Sequence, residues 1–158
     1  MSTPIQASVF TKGLLAVLTE AFESVQGHFL DPKTSLFETL SDITASEASI
    51  PVGNKCATIA AQVAHVNFYM EVLERYLQTG ENERSDWDEI WRTVHAVTPA
   101  EWAASQERLK QTYQRIKDYV ETYEGWDTVD SISGAIALVA HTAYHLGEIR
   151  QATCTVKP

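Results

Sequence analysis

Between residues 59 and 77 the apolar side chains Ile59, Val63, Val66, Met70, Leu73 and Leu77 recur at three- and four-residue steps without a break, and Gly80 follows as a stop. That period belongs to an α-helix with one buried face, and a helix of this length is stable only if the face is covered by other elements. The rest of the chain supplies the cover. Phe10, Leu14, Val17, Leu18, Phe22 and Val25 predict a first helix over about Gln6–Gln26, closed by Gly27. The stripe above predicts a second over about Lys55–Gln78. Trp102, Leu109, Tyr113, Ile116, Val120 and Tyr123 predict a third. Its start is marked by Thr98-Pro99-Ala100-Glu101, a capping box with proline in the first helical position, and its end by Gly125. Ile132, Ala135, Ile136, Val139, Ala143 and Leu146 predict a fourth over about Ile132–Thr153, with Asp130 or Ser131 as N-cap. Four amphipathic helices without a convincing strand predict an all-α four-helix bundle forming a single domain over residues 1–158.

The connections are unequal. Residues 28–55 carry Pro32, Pro51 and Gly53, with a short helical piece around Leu36, Phe37, Leu40 and Ile43, and are long enough to cross the bundle or cover a site. Residues 80–97 hold Trp87 and Trp91 on one face of a short helix starting near Asp86; aromatics in such a connection ordinarily anchor it to the core, with a pocket or dimer role as the alternative. The link through Trp126 and Asp127 is short, so the third and fourth helices are expected to be antiparallel neighbours.

Charge narrows the partners. With 12 Lys and Arg against 21 Asp and Glu and a formal net charge of −9, the chain lacks the basic surface that a nucleic-acid backbone or an anionic membrane requires. No run of about 18 apolar residues spans a bilayer, and Met1-Ser2-Thr3-Pro4-Ile5-Gln6 is no signal peptide, so a cytoplasmic protein is expected. Cys56 and Cys154 form neither a CxxC pair nor a disulfide framework and are expected to be reduced thiols.

The chemistry-bearing residues are histidines. His141 and His145 stand one turn apart on the fourth helix, in Val139-Ala140-His141-Thr142-Ala143-Tyr144-His145-Leu146-Gly147-Glu148-Ile149. Thr142 follows the first histidine where the zinc-protease motif needs glutamate, so that motif is absent. Two histidines alone make a weak and indiscriminate site. The third candidate is His65, which shares a second stripe of its helix with Tyr69, Val72 and Tyr76. It lies about ten residues into the second helix, and the pair lies about eight to twelve residues from either end of the fourth, so at about 1.5 Å rise per residue the levels match within a turn. A lone histidine at such a margin is ordinarily structural; the level match makes it a ligand candidate. His95 has no helical partner and is left out. A di-iron carboxylate site is excluded because no glutamate has histidine three positions later.

An N-terminal helix, His65 within Ala60-Ala61-Gln62-Val63-Ala64-His65-Val66-Asn67-Phe68-Tyr69, a tryptophan-bearing connection and the run from His141 to Ile149 together resemble the DinB/YfiT-like family over nearly the whole chain. The last segment is similar to that family's H-x-x-x-H-x-G-[QE]-I run, with Leu146 where arginine is common and Glu148 where glutamine is common. The resemblance implies up-down-down-up connectivity, a homodimer, and a divalent metal held by His65, His141 and His145.

Three neutral imidazoles suit zinc or nickel first, with iron or copper also compatible, and leave positions open for water or substrate. The resemblance further implies small-molecule chemistry with a low-molecular-weight thiol as cosubstrate. The leading expectation is a metal-dependent thiol S-transferase. The alternatives are a hydrolase using metal-bound water, for which Glu148 is the only acidic candidate as general base, and a non-enzymatic, metal-binding, dimeric stress-related protein.

Overall fold

A computed structural model of the chain describes residues 5–54, 56–80 and 84–157. Among the described residues there are helices and no strand: α1 (Ala7–Phe22), α2 (Leu36–Ser41), α3 (Ala45–Ala48), α4 (Ile59–Thr79), α5 (Glu89–Thr93), α6 (Pro99–Thr122) and α7 (Val129–Val156). No helix is long and apolar enough to cross a membrane. The four long helices pack as a bundle whose centre holds Leu18, Phe22, Ile59, Val63, Met70, Leu109, Ile116, Leu138 and Ile149, all nearly inaccessible to solvent.

Helix α1 ends four residues before the predicted Gln26. The cause is Glu20, a carboxylate with no exposed surface. It accepts the backbone N–H groups of Gln26 (3.2 Å), His28 (2.8 Å), Phe29 (2.7 Å) and Leu30 (2.6 Å). These donors can converge only if the chain leaves the helix after Phe22 and folds back, which Gly27 allows at φ +85°. Burial alone would raise the Glu20 pKa, but the four N–H donors outweigh it and hold the group at about 2.

The long connection to α4 carries the short helix expected around Leu36 and a second, unforeseen one. Both open on capping boxes, Ser35 with Glu38 and Thr44 with Glu47. α2 packs on α1, and α3 on α4 and α6, while the Trp102 indole donates to the Ile43 carbonyl at 2.8 Å. The connection therefore crosses from α1 to α4. The predicted start of the next helix at Lys55 lies outside the described residues; α4 itself begins at Ile59, where the Thr58 hydroxyl accepts the Ala61 N–H, and ends at Gly80 in the left-handed conformation. Residues 81–83 of the second connection also lie outside the described residues.

Helix α6 begins as predicted, with Thr98, Pro99 and Glu101 in a capping box. Helix α7 starts three residues earlier than expected because Thr128, not Asp130 or Ser131, caps it by accepting the Ser131 N–H. Its inner face is also rotated from the predicted stripe. Of the predicted stripe, Ala135 and Leu146 are buried, Ile132, Val139 and Ala143 are half-buried and Ile136 is 58% exposed, while Leu138, Thr142, His145, Ile149 and Ala152 are buried as well. The face that meets the core is thus the one that carries His145.

Helix α1 packs against α6 and α7, and α4 packs against the same two. The third and fourth long helices, α6 and α7, are therefore diagonal to each other rather than neighbours as the short link suggested. Within that link Trp126 packs on Phe10 (4.9 Å between centroids) and donates its indole N–H to Thr11 Oγ1 (2.8 Å), which carries the chain past the start of α1 before α7 begins.

Cross-helix contacts give the directions. Glu71 meets Arg108, Glu74 meets Arg115 and the Leu77 carbonyl accepts from Tyr119, so α4 and α6 run the same way. Gln62 meets His145 and Tyr76 meets Asp130, so α7 runs opposite to α4. Glu23 meets Tyr113 and Lys117 while Thr11 meets Trp126, so α1 runs opposite to α6. Exposed ion pairs of this kind contribute only about 0–1 kcal/mol each and serve register more than stability.

Candidate metal centre

The antiparallel pairing of α4 and α7 brings His65 level with His141 and His145. One nitrogen from each ring lies within 4.8 Å of the others, so the three can hold a metal ion. The Nε2 atoms of His65 and His141 are 3.3 Å apart. Two nitrogens bound to one tetrahedral ion at about 2.0–2.1 Å stand about 3.3–3.4 Å from each other, so this pair already has the spacing of a shared ion.

Protonation is set by burial. His65 and His145 are buried and His141 is half-buried. Burial, reinforced by neighbouring His145 and His65, pushes His141 down to about 3. His65 is lowered by burial and by His145 against a weaker pull from Glu148; His145 is lowered by burial despite Glu148. All three rings are therefore neutral near pH 7 and present lone pairs, the form a cation requires.

The rings are oriented in two ways. His145 Nδ1 faces two acceptors, Gln62 Oε1 at 2.6 Å and Glu148 Oε2 at 3.1 Å, so Nδ1 carries the proton and Nε2 keeps its lone pair for the cluster. Among the described residues, none is a hydrogen-bond partner of His65 or His141 at Nδ1. Aromatic faces hold them instead. Tyr69 stacks on His141 with centroids 3.7 Å apart and planes at 11°, and Trp91 lies over His65 at 4.5 Å. Trp87 completes the cover, edge-on to His65 at 6.4 Å and in contact with Phe68 and Tyr69.

Glu148 stands behind His145, on the Nδ1 side. Its other oxygen accepts from the Tyr144 hydroxyl at 2.8 Å. His95 is exposed on the loop after α5, its ring at 3.0 Å from the Arg92 carbonyl, outside the cluster. Cys56 and Cys154 are exposed free thiols.

Gln62 is the site residue that the sequence reading does not single out; Trp87 and Trp91, expected together on one face of a short helix, both reach the histidines, although that helix starts at Glu89 and Trp87 precedes it. Gln62 had a signal: it extends the stripe His65, Tyr69, Val72, Tyr76 by one step towards the N-terminus, and a polar residue in that stripe asks for a partner across the interface. Because outer partners of ligating histidines are worth about 10–100-fold in metal affinity, Gln62→Leu is expected to weaken zinc binding about tenfold and Gln62→Leu with Glu148→Ala up to about a hundredfold. Zinc titration against a competing chromophoric chelator, with helicity unchanged, checks both. No family model, no curated protein and no solved structure matches this chain.

Proposed function

We propose that the protein is a metal-dependent enzyme of the DinB/YfiT-like kind, in which His65, His141 and His145 hold one divalent ion, zinc or nickel first and iron next, and which transfers a low-molecular-weight thiol to an electrophilic carbon. The observation that carries the reading is the convergence of three neutral imidazoles, two of them at ligand spacing, beneath an aromatic cover. The helix directions support it too: α1 up, α4 and α6 down and α7 up is the order that the family resemblance implies. A divalent ion bound by three histidines lowers the pKa of a thiol at an open coordination position.

The chain's own residues supply the rest. Gln62 and Glu148 fix the His145 tautomer. Tyr69 and Trp91 set the planes of His141 and His65. Trp87 and Trp91 cover part of the space above the rings, and the less water a site holds the stronger any charge interaction in it. In the transfer the thiol proton is lost to solvent, the new S–C bond forms, and the electron pair of the broken bond leaves with the departing group or opens the electrophile.

A hydrolytic reading has less support, because Glu148 engages His145 and Tyr144 on the side away from the cluster and is poorly placed as a general base. The reading is tested by loading the protein with zinc or nickel and measuring loss of a chromogenic electrophile with glutathione, bacillithiol or mycothiol. Turnover with one thiol and none without it, lost in His141→Ala, is the expected result. Thiol-independent turnover points to hydrolysis, and inertness of the loaded protein to all three thiols and to water points to a binding protein.

A further inference from the structure

Beside the histidines, between α4 and the start of α7, lies a cleft of about 490 Å³ lined by Tyr69, Val72, Leu73, Tyr76, Trp87 and Asp130. We propose that it binds the positively charged end of a small organic molecule, an alkylammonium or quaternary ammonium group. Three observations lead there.

The first is composition. Three aromatic rings and one carboxylate line the cleft, and among the described residues no lysine or arginine does. The negative face of an aromatic ring attracts a cation, most strongly for tryptophan, and an organic cation also gains from the apolar Val72 and Leu73 walls, which a hydrated metal ion does not. An anion meets Asp130 and the ring faces with the wrong sign.

The second is that two of the rings are left in solvent. Trp87 is 42% exposed and Tyr76 is 36% exposed. Trp87 packs on one side against Phe68 (5.3 Å between centroids) and Tyr69 (6.2 Å), and the rest of its surface is open to a ligand. The Tyr76 hydroxyl donates to Asp130 Oδ2 at 2.7 Å, which positions the carboxylate at the rim and uses only part of its acceptor capacity.

The third is continuity. Tyr69 lines the cleft with one part of its surface and stacks on His141 at 3.7 Å with another, and Trp87 likewise reaches His65 at 6.4 Å. A cation seated in the cleft therefore places the rest of its molecule about one ring from the histidines. That placement rests on the histidines being the reaction centre; the binding of the cation does not.

Choline and its uncharged isostere 3,3-dimethylbutan-1-ol, titrated into the metal-free full chain and followed by tryptophan fluorescence and calorimetry, test the proposal. Choline is expected to bind at least about fivefold more tightly than the isostere. Asp130→Asn and Trp87→Ala are expected to remove most of that preference, and Trp87→Phe to keep part of it, which separates loss of the ring from loss of the fold. Equal binding of the two probes, no choline binding, or an undiminished preference in Asp130→Asn and Trp87→Ala overturns the proposal. Zinc affinity of Asp130→Asn is expected to match wild type. Zinc binding without choline preference thus overturns the cation site alone, and choline preference without zinc binding overturns the metal reading alone.

Discussion

Glu20→Ala is expected to be the most destabilising replacement of any polar side chain in the protein, lowering the melting temperature by on the order of 10 °C or more. The substitution strands the N–H groups of Gln26, His28, Phe29 and Leu30 at a place where the carboxylate had no exposed surface. These are part-buried hydrogen bonds to a charged acceptor, the stronger kind, and all four are lost together. Glu20→Gln rescues only part, because its amide oxygen keeps one pair of N–H groups while its amide nitrogen turns donor hydrogens towards the other pair. Glu20→Asp is too short to reach both halves of the loop. Thermal unfolding followed by circular dichroism ranks the three variants. A melting temperature in Glu20→Ala within a degree or two of wild type contradicts the role assigned to this residue.

The same group dictates an acid limit. Its pKa falls from 4.5 to about 2 in the folded chain, so the unfolded chain binds the proton more readily. The stabilisation is present in full above about pH 4.5 and is lost as pH falls through about 2. The histidines act with the same sign in a window that opens higher and overlaps that of Glu20 below about pH 4.5. His141 drops from 6.5 to about 3, so the metal-free protein loses stability on acidification from about pH 6.5 downwards, and His141→Ala flattens that part of the profile. Urea unfolding at a series of pH values, on wild type and His141→Ala, separates the histidine part between about pH 6.5 and 4.5 from the Glu20 part below it.

The second large effect concerns the ion. Zinc at about a hundred times its dissociation constant is expected to stabilise the wild-type chain by about 2.7 kcal/mol through mass action, a rise of roughly 5–10 °C in melting temperature. His65→Ala, His141→Ala and His145→Ala are each expected to abolish the rise, because two imidazoles do not retain the ion at that concentration. His95→Ala, on an exposed loop away from the cluster, is expected to keep it in full. Differential scanning calorimetry with and without zinc decides. A rise that persists in His141→Ala and disappears in His95→Ala places the ion elsewhere.

Helix existence was legible because it rests on local periodicity and end signals: Thr98-Pro99-Ala100-Glu101 and Gly80 mark their helix ends as the sequence predicts. The end of α1 was not, since Glu20 is stabilised by donors that arrive six to ten residues later, and nothing local announces them. The face of α7 was read correctly at Ala135 and Leu146 and misjudged at Ile136, which looks more apolar than Thr142 or His145, yet it is the polar pair that is buried. Helix adjacency failed for a similar reason. A short link sets distance between ends, and the Trp126 contacts with Phe10 and Thr11, invisible to spacing, decide which corner of the bundle comes next. The three histidines were found from helix level and one-turn spacing alone. Their supports were not: whether Gln62, Tyr69, Trp87 and Trp91 turn towards the rings depends on how α4, α5 and α7 rotate against one another.

X-ray absorption at the zinc edge, on the stoichiometrically loaded protein without an affinity tag, tests the central claim most directly. Three imidazole shells at about 2.0–2.1 Å, with one or more light-atom ligands completing the coordination and no sulfur at about 2.3 Å, are predicted; in His141→Ala the imidazole count should fall. A sulfur shell from Cys56 or Cys154, or a wild-type spectrum with fewer than three imidazoles, contradicts it.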